Sequence, residues 1–124
     1  MNTRSIHVSI VDDDESVREA LPDLLRSFGT RVDAFDSAEG FLGSEALETT
    51  ECLILDIGMP GMTGPELQQE LTRRGRRIPI IFITAIKDEN ARRRLSRAGA
   101  VDCLYKPFGG DELHAALRLA GVVD

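Results

Sequence analysis

Five short apolar runs, separated by stretches whose apolar residues recur at helical spacing, most restrict how this chain can fold. Ile6 to Val11, Cys52 to Leu55, Ile78 to Ile83 and Val101 to Leu104 read as buried strands, and Arg31 to Phe35 alternates like a half-exposed edge strand. Between the first two, Val17, Leu21, Leu24, Leu25 and Phe28 mark a helix from Glu15 to Phe28, stopped by Gly29. Pro22 lies inside it and predicts a kink, because proline removes a backbone hydrogen bond at a cost of about 3 kcal/mol. Ser37 can cap a short second helix carrying Phe41 and Leu42, and Thr63 with Glu66 has the spacing of a capping box that opens a third through about Arg74. Asp88 caps a fourth, whose thin stripe of Ala91, Leu95 and Ala98 predicts weak docking. Leu113, Ala116, Leu117 and Ala120 line a last one. Five strands alternating with five helices imply an α/β, doubly wound, five-stranded parallel sheet, because right-handed crossovers place helices on both faces. Ligands in such sheets sit beyond the carboxyl ends of the strands, next to where the winding reverses.

The residues expected at those ends form a chemical set. Asp12 and Asp13 follow the first strand, Asp56 closes the third, Thr84 closes the fourth and Lys106 follows the fifth. Clustered carboxylates raise each other's cost of ionisation unless a cation neutralises them. Oxygen ligands that leave room for water and a phosphoryl group suit Mg²⁺. Thr84 and Lys106 then offer a hydroxyl donor and a positive charge to phosphoryl oxygens. Taken singly, each has a plainer explanation: adjacent aspartates after a strand are commonly helix caps, which is the expectation for Asp14, and a lone threonine or lysine at a strand end is ordinary. Lys106 is more telling, since the chain has two lysines beside 13 arginines and a lysine acts as a compact point charge.

At 124 residues the chain is expected to form a single domain over 1–124, with no output domain in this chain. Its net charge is −6, and Asp12 to Glu15 supply four of the 21 acids. Residues 71 to 97 lean the other way: Arg73, Arg74, Arg76, Arg77, Lys87, Arg92, Arg93, Arg94 and Arg97 face only Asp88 and Glu89. Such runs usually form solvated faces, and the acidic total argues against direct nucleic-acid binding by this domain. No apolar run approaches the ~18 residues needed to span a bilayer, and the polar start from Met1 to Ser5 carries no signal-peptide stretch, so a cytoplasmic location is expected. Cys52 and Cys103 read as reduced core thiols; with a strand between theirs, they stand about twice the ~4.8 Å strand spacing apart, too far for a disulfide. His7 reads as a hydrogen-bonded core or interface histidine, and His114, beside Glu112, as non-functional.

The segments VDDDESVR (11 to 18), LILDIGMPGMTG (53 to 64), FITA (82 to 85) and AGAVDCLYKPF (98 to 108) resemble the response-regulator receiver domains of two-component signalling. DSAEGFL (36 to 42) and AGAVDCLYKPF look closest to the FixJ type, whose members usually carry a helix-turn-helix DNA-binding domain after the receiver. The resemblance implies a flavodoxin-like (βα)5 fold in which Asp56 accepts a phosphoryl group from a histidine kinase. It makes Asp13 a direct ligand of Mg²⁺, Asp12 a ligand mainly through water, and the backbone carbonyl of Gly58 the last protein ligand. Thr84 matches the switch hydroxyl, Lys106 matches the phosphate-contacting lysine, and the Lys106–Pro107 bond is expected to be cis. Such a domain is a phosphoacceptor that assists its own transfer and hydrolysis, not an enzyme acting on a separate substrate. It would signal through the fourth helix, fifth strand and last helix to a transcriptional output, with homodimerisation on phosphorylation as one consequence.

Two positions depart from the family pattern. Gly58 stands where a larger, often polar side chain is usual, and Cys103 stands where an aromatic ring normally swings inward. The second departure predicts a signal that leaves mainly through the loop from Ala85 to Lys87 and the fourth helix. Competing assignments fit less well. A haloacid-dehalogenase-type phosphatase needs a second Asp where Gly58 stands, and a flavin binder would find four acids in place of a phosphate-cradling loop. A phosphorylation-independent interaction module with the same fold is the remaining alternative.

Overall fold

The computed structural model describes residues 5–124, so most of the polar start, Met1 to Arg4, lies outside the described residues. The chain runs β1 (His7–Val11), α1 (Glu15–Ser27), β2 (Arg31–Phe35), α2 (Ala38–Leu42), α3 (Ala46–Thr49), β3 (Cys52–Asp56), α4 (Gly64–Arg73), β4 (Ile80–Thr84), α5 (Glu89–Arg97), β5 (Asp102–Tyr105) and α6 (Gly110–Leu119). All five strands pair in parallel in the order β2-β1-β3-β4-β5. The winding reverses between β1 and β3, the crevice where ligands of such sheets bind.

Period-two alternation along the central strands divides the interior into two layers. Val11, Leu53, Leu55, Phe82 and Cys103 meet Phe41, Leu47, Leu67, Leu71 and Leu95 on one face. Val8, Ile10, Ile54, Ile81, Ile83 and Leu104 meet Leu21, Leu25, Leu113 and Leu117 on the other. Each fully buried side chain of this size contributes roughly 1.5–3 kcal/mol. Edge strand β2 stays half exposed, as its alternation predicts. Helix α5 buries only Leu95, in keeping with its thin apolar stripe.

Local signals are borne out where they are chemical. Asp14, Ser37 and Asp88 accept N-cap hydrogen bonds, and Thr63 with Glu66 forms a capping box. Helix α1 runs from Glu15 to Ser27 through Pro22, which is buried. Two details differ from expectation. The connection from β2 to β3 holds two short helices, α2 and α3, because Gly43 ends the first one before Ala46 and Leu47 find the core. Strand β4 starts after Pro79, which has no N–H to give the ladder but whose carbonyl accepts from Leu53 at 2.9 Å.

His7 is a buried, hydrogen-bonded core residue: Nδ1 lies 2.9 Å from the Thr49 hydroxyl and Nε2 2.7 Å from Asp33 Oδ2. His114 packs its ring edge-on against Phe28 at 4.9 Å. Both cysteines are free and buried, and they belong to opposite layers of the core, which separates them further than strand order alone does. Among the described residues no helix is long and apolar enough to cross a membrane.

Candidate functional site

The carboxyl ends of β1, β3, β4 and β5 stand side by side because the parallel register aligns Val11 with Leu55, Asp56 with Ile83 and Thr84 with Tyr105. The expected site residues therefore converge. Oxygens from Asp12, Asp13 and Asp56 lie within 4.8 Å of one another. Asp13 and Asp56 line a cleft of about 380 Å³ together with Gly58, Thr84, Ala85 and Lys106, and Asp12 lies fully buried. A larger groove of about 600 Å³ lies at the opposite end of the sheet, lined by residues such as Leu71, Arg77 and Ile78. It contains none of this set, so chemistry and not volume selects the site.

Asp12 is fully buried and heavily engaged. Its Oδ1 accepts from the Asp14 backbone N–H at 2.9 Å, and its Oδ2 accepts from Lys106 Nζ at 2.8 Å. Lys106 Nζ is 3.9 Å from Asp56 Oδ1, so its primary partner here is Asp12. Burial works against the Lys106 charge, but the hydrogen bond to Asp12 and the Asp12 and Asp56 charges outweigh it and hold the ammonium above its ordinary pKa. Asp13 is exposed at the rim. Asp14 caps α1, accepting from the Ser16 N–H at 2.9 Å.

Burial pushes the Asp56 carboxyl up to about 7, with the Asp12 charge and a side-chain hydrogen bond to Asp12 adding to the effect and Lys106 opposing it. A carboxylate held this far from its ordinary value at the crevice of an α/β sheet is a candidate functional position. The Thr84 hydroxyl accepts from the Ile86 N–H at 3.1 Å, and the Lys106 N–H donates to the Thr84 carbonyl at 2.7 Å. The Lys106–Pro107 bond is cis, as the resemblance implies.

Glycines shape the loop behind Asp56. A Cβ on Gly64 would stand 2.3 Å from the Asp56 carbonyl oxygen, so α4 reaches the end of β3 only with glycine there. A Cβ on Gly58 would meet nothing within 4 Å, which leaves that side of the cleft open. One contributor is not legible in the sequence. Glu39 of α2 reaches across to accept from the Met62 N–H at 3.2 Å, bracing the loop between β3 and α4. The two residues lie 23 positions apart, and no local pattern signals their meeting.

Comparison with known proteins agrees with this geometry. The family model for the response regulator receiver domain matches residues 8–118. The response regulator protein TmoT of Ectopseudomonas mendocina is 43% identical over 120 residues, covering 97% of this chain and 54% of that protein. Nodulation protein W of Bradyrhizobium diazoefficiens is 46% identical over 119 residues, covering 96% and 52%. The crystal structure of FixJ-N superposes with a TM-score of 0.83 at 35% identity, covering 94% of each chain. The chain thus spans about half the length of the curated relatives it matches. With the sheet order, the acidic strand ends and these matches all in agreement, the chain belongs to the response regulator receiver domain family.

Proposed function

We propose that this domain is a phosphorylation switch in which Asp56 accepts a phosphoryl group from a histidine kinase in a Mg²⁺-dependent reaction. Response regulators work with histidine kinases in two-component systems, and the observation that carries the reading here is the meeting of three carboxylates, a hydroxyl and an ammonium around one cleft. The donor set fits the metal. It is all oxygen, and both the burial that raises the Asp56 pKa and the Asp12 charge that adds to it disfavour a carboxylate that a hard divalent cation would stabilise. Asp12, Asp13, Asp56 and the Gly58 carbonyl would hold the ion, which when bound neutralises charge on the carboxylates and on the phosphoryl oxygens.

Asp56 must be ionised to attack. Its carboxylate oxygen forms a bond to phosphorus as the bond from phosphorus to the kinase imidazole nitrogen breaks, in line on the opposite side. Ala85 is small and keeps the approach open. The product replaces the single charge of the carboxylate with a phosphoryl group carrying nearly two, a net gain of about one negative charge beside Asp12. Lys106 would then exchange part of its contact with Asp12 for the phosphoryl oxygens, and the Thr84 hydroxyl would leave Ile86 to donate to them. That shift pulls the loop from Ala85 to Lys87 and α5, with β5 and α6 completing the output face. A transcriptional output, and dimerisation once phosphorylated, follow the same reading; the relative named transcriptional regulatory protein FixJ of Azorhizobium caulinodans is 38% identical over 114 residues.

Incubating the protein with a small phosphodonor and Mg²⁺ should add one phosphoryl group by intact mass, and Asp56→Asn should abolish it. Undiminished incorporation in the mutant moves the acceptor elsewhere. None in the wild type favours an interaction module that works without phosphorylation.

Because the space beside Gly58 is open, Gly58→Asn and Gly58→Arg should fold normally and change the lifetime of the phosphorylated form several-fold by orienting or shielding the attacking water. Mg²⁺ affinity should hardly change, since the metal would use only the carbonyl of residue 58. Identical decay rates across the series would remove this role from position 58.

A further inference from the structure

Tyr105, the chain's one tyrosine, is the last residue of β5 and pairs in register with Thr84. Its side chain contacts three residues of the segment that follows Thr84. The hydroxyl donates to Glu89 Oε1 at 2.9 Å. Lys87 Nζ stands 5.9 Å from the ring centroid and Arg92 Cζ 5.6 Å, so two cations share one ring. Arg92 is itself placed by Asp102 of β5, at 3.4 Å, and by Glu89, at 4.0 Å. Cys103, two residues back on the same face, is buried against the layer containing Leu95 and makes no comparable clamp.

The cluster's importance comes from how little else holds this segment. Helix α5 buries only Leu95, and residues 85 to 90 are exposed. At its near end, the turn is closed by the Ile86 N–H donating to the Thr84 hydroxyl. When that hydroxyl moves towards a group on Asp56, the Ile86 N–H follows it or loses its partner, and the residues immediately beyond are those pinned to Tyr105.

Resting on the reading of Asp56 as phosphoacceptor, we infer that Tyr105 is a positioning residue that holds Lys87, Glu89 and Arg92 in the unphosphorylated arrangement and so restrains phosphorylation. If phosphorylation loosens the clamp, loosening the clamp favours phosphorylation by the same factor, because coupling between two equilibria is reciprocal. Tyr105→Phe removes the bond to Glu89 and keeps the ring beside both cations. Tyr105→Leu removes both contacts.

The test is the concentration of acetyl phosphate, with Mg²⁺, that gives half-maximal modification of Asp56 by intact mass, together with amide exchange over residues 85 to 92. The Phe variant should need about threefold less donor, the value of one exposed hydrogen bond. The Leu variant should need about tenfold less, as the ring contacts are lost as well. Glu89→Ala, which keeps the ring but removes its hydrogen-bond partner and one of the two carboxylates beside Arg92, should need at least threefold less donor and supplies a second route if Leu folds poorly. Exchange over 85 to 92 in the unmodified variants should approach that of the phosphorylated wild type. A purely structural tyrosine would lower thermal stability while leaving donor dependence unchanged, and that result overturns the inference alone. Exchange over 85 to 92 that does not respond to phosphorylation of the wild type also overturns it. Absence of any modification at Asp56 in the wild type overturns the inference and the acceptor reading together.

Discussion

Gly64→Ala is expected to destabilise the domain by about 3 kcal/mol or more, with a lowered urea midpoint and an unchanged m-value. The added Cβ would lie 2.3 Å from the Asp56 carbonyl oxygen and 3.1 Å from both the Asp56 carbonyl carbon and the Ile57 Cα. All three are backbone atoms, so no rotamer change relieves the overlap. Backing away is opposed from both sides. The Gly64 N–H donates to the Ile57 carbonyl at 3.0 Å, and the Thr63–Glu66 capping box fixes the first turn of α4. The end of β3 must shift instead, and with it Asp56. Gly58→Ala is the control: it enters open space six residues earlier in the same loop and should stay within about 0.5 kcal/mol of wild type. Equal losses at the two positions would mean that the close approach of α4 to β3 does not set the cost.

Asp56→Asn should stabilise the metal-free protein at pH 8 by about 2 kcal/mol and make little difference near pH 4. The folded-state pKa of Asp56 lies near 7, raised by burial and then by Asp12, whereas an aspartate in the unfolded chain titrates near 3.9. Between those values the folded protein holds a proton that the unfolded chain has released. Stability is therefore full below about pH 4 and falls as pH rises through about 7, where the folded carboxylate must ionise beside Asp12. Asparagine has no charge to carry through that window. The expected gain is set below the full cost of the shift because Lys106 and water at the cleft relax around the new charge. Saturating Mg²⁺ should narrow the difference by stabilising the wild-type carboxylate. Chemical denaturation at pH 4, 6 and 8, with and without Mg²⁺, measures all of this; a mutant no more stable than wild type at pH 8 would show that Asp56 ionises there without strain. On the proposed function, the charge that destabilises the resting fold is the one that attacks phosphorus.

Strand positions and helix caps were legible in the sequence because they are local. A capping box satisfies N–H groups three residues away, and a strand declares its buried face at every second position. The convergence of the candidate residues was legible for a related reason: a parallel sheet aligns its carboxyl ends, so finding the ends of β1, β3, β4 and β5 brings Asp12, Asp56, Thr84 and Lys106 together. Partnerships within the site were not. That Lys106 bonds Asp12 more closely than Asp56, that Glu39 braces Met62, and that Lys87, Glu89 and Arg92 gather on Tyr105 all depend on distances across elements. The additional short helix α3, and the placing of the two cysteines in opposite layers, likewise depend on which face of the sheet each segment meets. The sequence by itself determined the order of elements and the chemical inventory of the cleft, since periodicity, caps and strand ends are written in neighbouring residues. Only the tertiary structure decided which charges pair and which loop is tethered, because those contacts join residues whose closeness exists only once the sheet has formed and its helices have docked.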